Sequence, residues 1–140
     1  PCTDGGSRMC GLFRYDPGTG KTRQLTFDQD SNWGPVVMEN GQILYQRWEY
    51  ADIPHSNSRI MFTMNPDGTN QRAYYGSNSY FPTSYFDARP IPGRPSAMAG
   101  IVTGHHSIPR SGRLILIDTN QGRRRRRYLR NSIFRPKSTG

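Results

Sequence analysis

Three times along the chain a short apolar stretch runs into an aspartate or asparagine and then a tight turn. The copies are Leu12-Phe13-Arg14-Tyr15-Asp16-Pro17-Gly18-Thr19-Gly20, Ile60-Met61-Phe62-Thr63-Met64-Asn65-Pro66-Asp67-Gly68-Thr69 and Leu114-Ile115-Leu116-Ile117-Asp118-Thr119-Asn120-Gln121-Gly122. Their polar anchors Asp16, Asn65 and Asp118 recur at about 50 residues, in the range of solenoid, propeller and array repeats. Strands and hairpins, in place of helix pairs, direct the repeat toward blades. A blade cannot bury its own faces, so it predicts assembly before it predicts chemistry.

The spacing of turn residues divides the chain into hairpins. Strands are expected over 11–16 and 22–27 about Pro17-Gly18-Thr19-Gly20, where glycine supplies positive φ. A second pair, 35–39 and 42–48, surrounds Asn40-Gly41, the strongest short hairpin signal. A third, 59–65 and 71–75, is joined through Asn65-Pro66-Asp67-Gly68-Thr69. The pair 84–91 and 97–103 reads less clearly, because Pro90, Pro92, Gly93 and Pro95 interrupt it. The stretch 112–118 is the clearest strand of the last unit, and no segment carries a helical stripe. The expectation is an all-β chain: a β-propeller fragment of about two and a half four-stranded antiparallel blades. Residues 1–122 form the propeller part, and 123–140 an Arg-rich tail, disordered or non-native. A ring needs about 4–8 blades, so a chain of 140 residues that opens at Pro1 reads as a piece of a longer protein.

The net charge of +9 is concentrated in that tail. From Arg123 onward there are seven Arg, one Lys and no acid, which gives +8 and leaves +1 for the rest. Such a tail binds phosphates by charge alone, without a folded reader beside it, which argues against nucleic-acid binding as the purpose. No stretch approaches the ~18 apolar residues of a membrane-crossing helix. Cys2 and Cys10 are close enough for a disulfide across a small loop, or stand as two free thiols.

Several short motifs imitate chemistry and fall short of it. Asp28-x-Asp30-x-Asn32, with Glu39 at the twelfth position, resembles a calcium loop, but Trp33 stands where the sharp turn needs glycine. Gly18-Thr19-Gly20-Lys21-Thr22 ends like a phosphate loop, yet Tyr15 replaces the first glycine and a hairpin replaces the helix. No Gly-x-Ser-x-Gly elbow and no Cys-x-x-Cys-His haem attachment occur.

Two candidate constellations remain. His105-His106 lie between Gly104 and Pro109; adjacent strand residues face opposite ways, so both reach one metal only where a loop bends them together. Trp48-Glu49-Tyr50 ends a strand and leads into a polar connection containing His55. Its aromatics line a pocket or pack between blades, given the large areas they bury. The turn residues Asp16, Asn40, Gly41, Asn65, Asp67, Gly68 and Asp118 are structural in this reading.

Arg23-Gln24-Leu25-Thr26-Phe27-Asp28, Trp33-x-Pro35, Asn40-Gly41-Gln42-Ile43-Leu44-Tyr45 and Met64-Asn65-Pro66-Asp67-Gly68-Thr69 resemble TolB-type (PD40/WD40-like) propellers. A narrower set occurs in order. It comprises Tyr45-Gln46-Arg47-Trp48-Glu49-Tyr50-x-Asp52, Phe62 through Thr69, Tyr74-Tyr75-Gly76-Ser77-Asn78-Ser79, Ala88-Arg89-Pro90-Ile91-Pro92-Gly93 and Gly104-His105-His106. This set is similar to the middle domain of the hydrazine synthase alpha subunit and its relatives, over roughly residues 2–123. The resemblance implies a propeller domain of a periplasmic or otherwise exported bacterial protein. In hydrazine synthase itself c-type haems do the redox chemistry. With no Cys-x-x-Cys-His here, the resemblance carries over no catalytic residue and no cofactor for this segment, though haem c elsewhere in the parent fits it. The expected function is a non-catalytic scaffold and interaction domain whose partners are other blades and domains of the same chain, or partner subunits. The alternative is a metal or haem redox site that takes His105 and His106 from this segment and is completed by another domain. A basic nucleic-acid module is the third reading, with affinity that collapses in salt and on removal of the tail. The tail departs from the family pattern after Gly122, which suggests a shifted reading frame or a truncation.

Overall fold

The computed structural model describes residues 10–48, 59–75, 84–103 and 112–121. Among them the chain is all-β, with nine strands in three antiparallel sheets and a single 3-10 turn at Thr119–Gln121. β1 (Phe13–Asp16) and β2 (Lys21–Gln24) form the first sheet. β3 (Asn32–Val37), β4 (Ile43–Trp48), β5 (Arg59–Met64) and β6 (Arg72–Tyr75) form the second, in sequence order. β7 (Tyr85–Ile91), β8 (Arg94–Val102) and β9 (Arg113–Asp118) form the third, again in order.

Local chemistry explains the reversals. Asp16 pairs with Lys21 across a four-residue loop, and its carboxylate accepts the Gly18 N–H at 2.9 Å and the Thr19 hydroxyl at 2.9 Å. Glu39, Asn40 and Gly41 link Met38 to Gln42, whose carbonyl accepts the Met38 N–H at 2.8 Å. Gly41 there has φ +79, the left-handed position of a three-residue hairpin loop. In the β5–β6 turn it is Asp67, not the anchor Asn65, that accepts the N–H two residues on, from Thr69 at 3.0 Å. Asn65 instead donates its side-chain amide to the Thr69 hydroxyl at 2.9 Å. The hydroxyl of Thr19 lowers the pKa of Asp16, seconded by the Gly18 N–H, and Thr69 lowers that of Asp67 through its hydroxyl and N–H.

The prolines that interrupt the sequence pattern of the third sheet do not break it. β7 runs through Pro90 and β8 through Pro95, in a tight hairpin about Gly93 (φ +71). Both prolines fall at an irregularity of the ladder between Pro90 and Ile91, the kind of place where a sheet tolerates proline; a second irregularity, between Phe86 and Arg89, holds Asp87 at φ +51.

Alternation then decides the core. On β4 and β5, Leu44 and Met61 face the third sheet, joining Met38, Tyr74, Tyr85, Ala88, Met98 and Ile117. Tyr45, Ile60, Phe62 and Met64 face the other way, onto Leu12 and Leu25 of the first sheet. The middle sheet is thus buried on both faces, each fully buried large side chain contributing about 1.5–3 kcal/mol. Gly100 makes room for the Tyr85 ring: a Cβ there would come within 2.5 Å of it. The Tyr85 hydroxyl donates to the Ile115 carbonyl at 3.1 Å. Burial, with the neighbouring Tyr75, pushes its pKa far up.

Candidate functional site

In an antiparallel meander, short turns and longer connections leave from opposite ends. The turns at 38–42 and 65–71 lie at one end of the second sheet, and the β7–β8 turn at one end of the third. The Glu39 carboxylate accepts the Gly93 N–H at 2.6 Å, which places the turn ends of these two sheets together. At the opposite ends lie the start of β3, the end of β4, the starts of β5 and β7, the end of β8 and the start of β9. The connections 49–58, 76–83 and 104–111 depart from residues at those ends. All the candidate binding residues belong to this end or to the connections leaving it.

Trp48 closes β4, and its ring stacks on Trp33 at 6.0 Å between centroids and 26° between planes. A bulge creates that pairing. Val36 pairs with Leu44 and Val37 with Ile43, but beyond Gly34-Pro35 the register shifts, so Trp33 pairs with Gln46 and Asn32 with Arg47. Gly34, at φ +56, takes the left-handed backbone this demands. Without the shift Trp33 would stand opposite Arg47, on the other face from Trp48.

On that other face Arg47 forms an ion pair with Asp28 at 2.8 Å, and its guanidinium lies 4.9 Å from the Phe62 ring centre. Asn32 donates its side-chain amide to the second Asp28 oxygen at 3.0 Å. Asp28 is therefore engaged by a guanidinium and an amide. Cys10 is disulfide-bonded and is tied to this end, since its carbonyl accepts the Asn32 N–H at 2.8 Å.

Of the residues singled out from the sequence, Trp48 is placed against Trp33. Glu49, Tyr50, His105 and His106 lie outside the described residues, as do His55 and Cys2. The turn residues Asp16, Asn40, Gly41, Asn65, Asp67 and Gly68 occupy reversals, and Asp118 ends β9 before the 3-10 turn Thr119–Gln121. Among the described residues no group of three or more His, Cys, Asp or Glu could hold a metal ion, and no helix is long and apolar enough to cross a membrane. Sequence reasoning missed Trp33 and Arg47 as partners; the glycine-proline pair inside β3 was the available signal for the register shift that sorts them. Comparison of the chain with protein-family models, with curated proteins and with solved structures gives no match.

Proposed function

We propose that this chain is a non-catalytic β-propeller segment, a scaffold and interaction surface within a larger exported protein, of the kind its motifs resemble in the hydrazine synthase alpha subunit middle domain. The supporting observation is the pair of outer faces on the three-sheet stack. On β1, just after the buried Leu12, Phe13 and Tyr15 are 58% and 62% exposed. On β9, Leu114 and Leu116 alternate with Ile115 and Ile117, which join the core, and are 74% and 46% exposed. Apolar faces at both ends of a stack are what further blades would cover. The disulfide at Cys10 fits an oxidising compartment.

The test is a structure of the longest open reading frame containing this chain. The expected result is a closed ring with sheets seated over Phe13 and Tyr15 and over Leu114 and Leu116. A protein in which both faces meet solvent overturns the reading.

A second reading has its own support. The connections that carry Glu49 and His55, and His105 and His106, leave from the same end of the two packed sheets. A metal or haem pocket completed there by another domain would use them. Titration with zinc and with haem decides: tight binding lost in His105→Ala/His106→Ala supports the pocket, and no binding to the longer protein removes it.

A further inference from the structure

Asn40 is the one asparagine in the sequence that a glycine follows. That pairing has a chemistry of its own. The backbone nitrogen of the following residue attacks the asparagine side-chain carbonyl carbon, closing a succinimide ring and expelling ammonia. Water then opens the ring at either carbonyl, leaving aspartate or isoaspartate. Glycine favours the attack because it has no Cβ to obstruct the close approach. Nothing lies within 4 Å of the point where a Gly41 Cβ would stand, and Glu39, Asn40 and Gly41 are all exposed.

The other described asparagines are worse placed. Pro66, after Asn65, has no N–H to lose. Asn32 is buried, with its amide on Asp28 at 3.0 Å. Asn70 and Asn120 precede glutamine, whose side chain crowds the approach. Asp67-Gly68 shares the glycine, but an ionised carboxylate, held by the Thr69 hydroxyl at 2.7 Å, is a poor electrophile.

We propose that Asn40 is a site of spontaneous succinimide formation in the folded chain, and that its conversion releases the Glu39 contact to Gly93. Hydrogen bonds within the loop must open first. The Gly41 N–H donates to the Met38 carbonyl at 2.9 Å. Asn40 Oδ1 accepts the Gln42 N–H at 3.0 Å, and Asn40 Nδ2 donates to Gln42 Oε1 at 3.1 Å. In an exposed hairpin loop such opening costs little, and it frees both the attacking nitrogen and the carbonyl it attacks. Isoaspartate then lengthens the backbone by one carbon inside a three-residue loop, and either product sets a second carboxylate beside Glu39. The Glu39 carboxylate accepts the Gly93 N–H at 2.6 Å, so the change reaches the third sheet at its turn end. The conversion needs no further blade and does not rest on the propeller reading.

The test is incubation of the full folded chain at mildly alkaline pH, followed by peptide mapping with mass spectrometry. Asn40 is expected to lose its amide before Asn32, Asn65, Asn70 or Asn120, with part of the product accepted by an isoaspartate-specific methyltransferase. Gln42→Ala, which removes the acceptor of the Asn40 amide, is expected to speed the loss about two- to tenfold. In the isoaspartate fraction the Gly93 amide is expected to exchange about tenfold faster, having lost its bond to a carboxylate. Asn40→Gln, whose longer side chain does not form the succinimide, is expected to show neither change. A folded chain that keeps Asn40 intact while the urea-unfolded chain converts it overturns the proposal, since the loop then guards the residue. Conversion with unchanged Gly93 exchange overturns the link to the third sheet.

Discussion

The middle sheet meets its two neighbours by different means. Toward the third sheet it presents Leu44 and Met61 to a continuous cluster including Met38, Tyr85, Met98 and Ile117. Toward the first sheet its apolar side chains are supplemented by polar stitches. Gln71 donates to the Leu25 and Gly68 carbonyls, both at 3.0 Å, and accepts from the Tyr45 hydroxyl at 3.3 Å. Arg47 pairs with Asp28. A two-stranded sheet has too little apolar face to hold itself in place, so directional contacts add to the packing. The three-stranded sheet is also bonded to the middle one, through the Gly93 N–H to Glu39 at 2.6 Å and the Tyr74 hydroxyl to the Ser96 carbonyl at 3.4 Å, but all three of its strands add side chains to the larger apolar cluster.

That contrast predicts where damage is costly. Leu44→Ala, in the larger apolar cluster, is expected to lose about 2–5 kcal/mol, read as a lower urea midpoint at unchanged slope. Should it cost less than every change at the first interface, the contrast fails. Gly68→Ala strikes the stitched side twice. Gly68 has φ +88, and a Cβ there would lie 3.0 Å from the Leu25 carbonyl oxygen. A loss of about 1–3 kcal/mol is expected in the same unfolding assay. Asp28→Asn removes the carboxylate charge that the Arg47 guanidinium meets at 2.8 Å, at a site 24% and 13% exposed. The expected cost is about 1–2 kcal/mol, between exposed and buried pairs, and a loss that does not shrink in high salt would argue against an ionic origin.

Two smaller effects sharpen the picture. Thr63 is fully buried, and its hydroxyl has no hydrogen-bond partner among the described residues. Thr63→Val is expected to gain about 1 kcal/mol by relieving that group; a loss would reveal a partner outside them. The turns contribute least. Asp16 and Asp67 titrate below the ordinary aspartate value of 3.8 when folded. Their contribution is therefore present above that value and is lost as pH falls through the lower folded one. NMR titration should find both midpoints below 3.8, and values at or above it would show that the Thr19 and Thr69 hydroxyls do not hold these carboxylates in solution.

Much of the strand framework was legible in the chain because hairpins are local. Asn40-Gly41 and Asn65-Pro66-Asp67-Gly68 each hold their reversal by bonds within a few residues. Boundaries were less legible where tertiary packing overrode local signals. β3 begins at Asn32, three residues before the expected 35, and β8 passes through Pro95. The candidate site was legible mainly as composition. Trp48 stood out as an aromatic at a strand end, whereas nothing local marks Trp33 as its partner.

The sequence by itself determined the class, the order of the strands and the turns, since alternation and turn chemistry act over a few residues. The tertiary structure decided which face each side chain serves. A one-residue slip at Gly34-Pro35 moves Trp33 to the side of Trp48 and leaves Asn32 beside Arg47. Side-chain direction has a period of two, so a shift of one reverses it. The sheets that reward one register over the other come from residues distant in the chain.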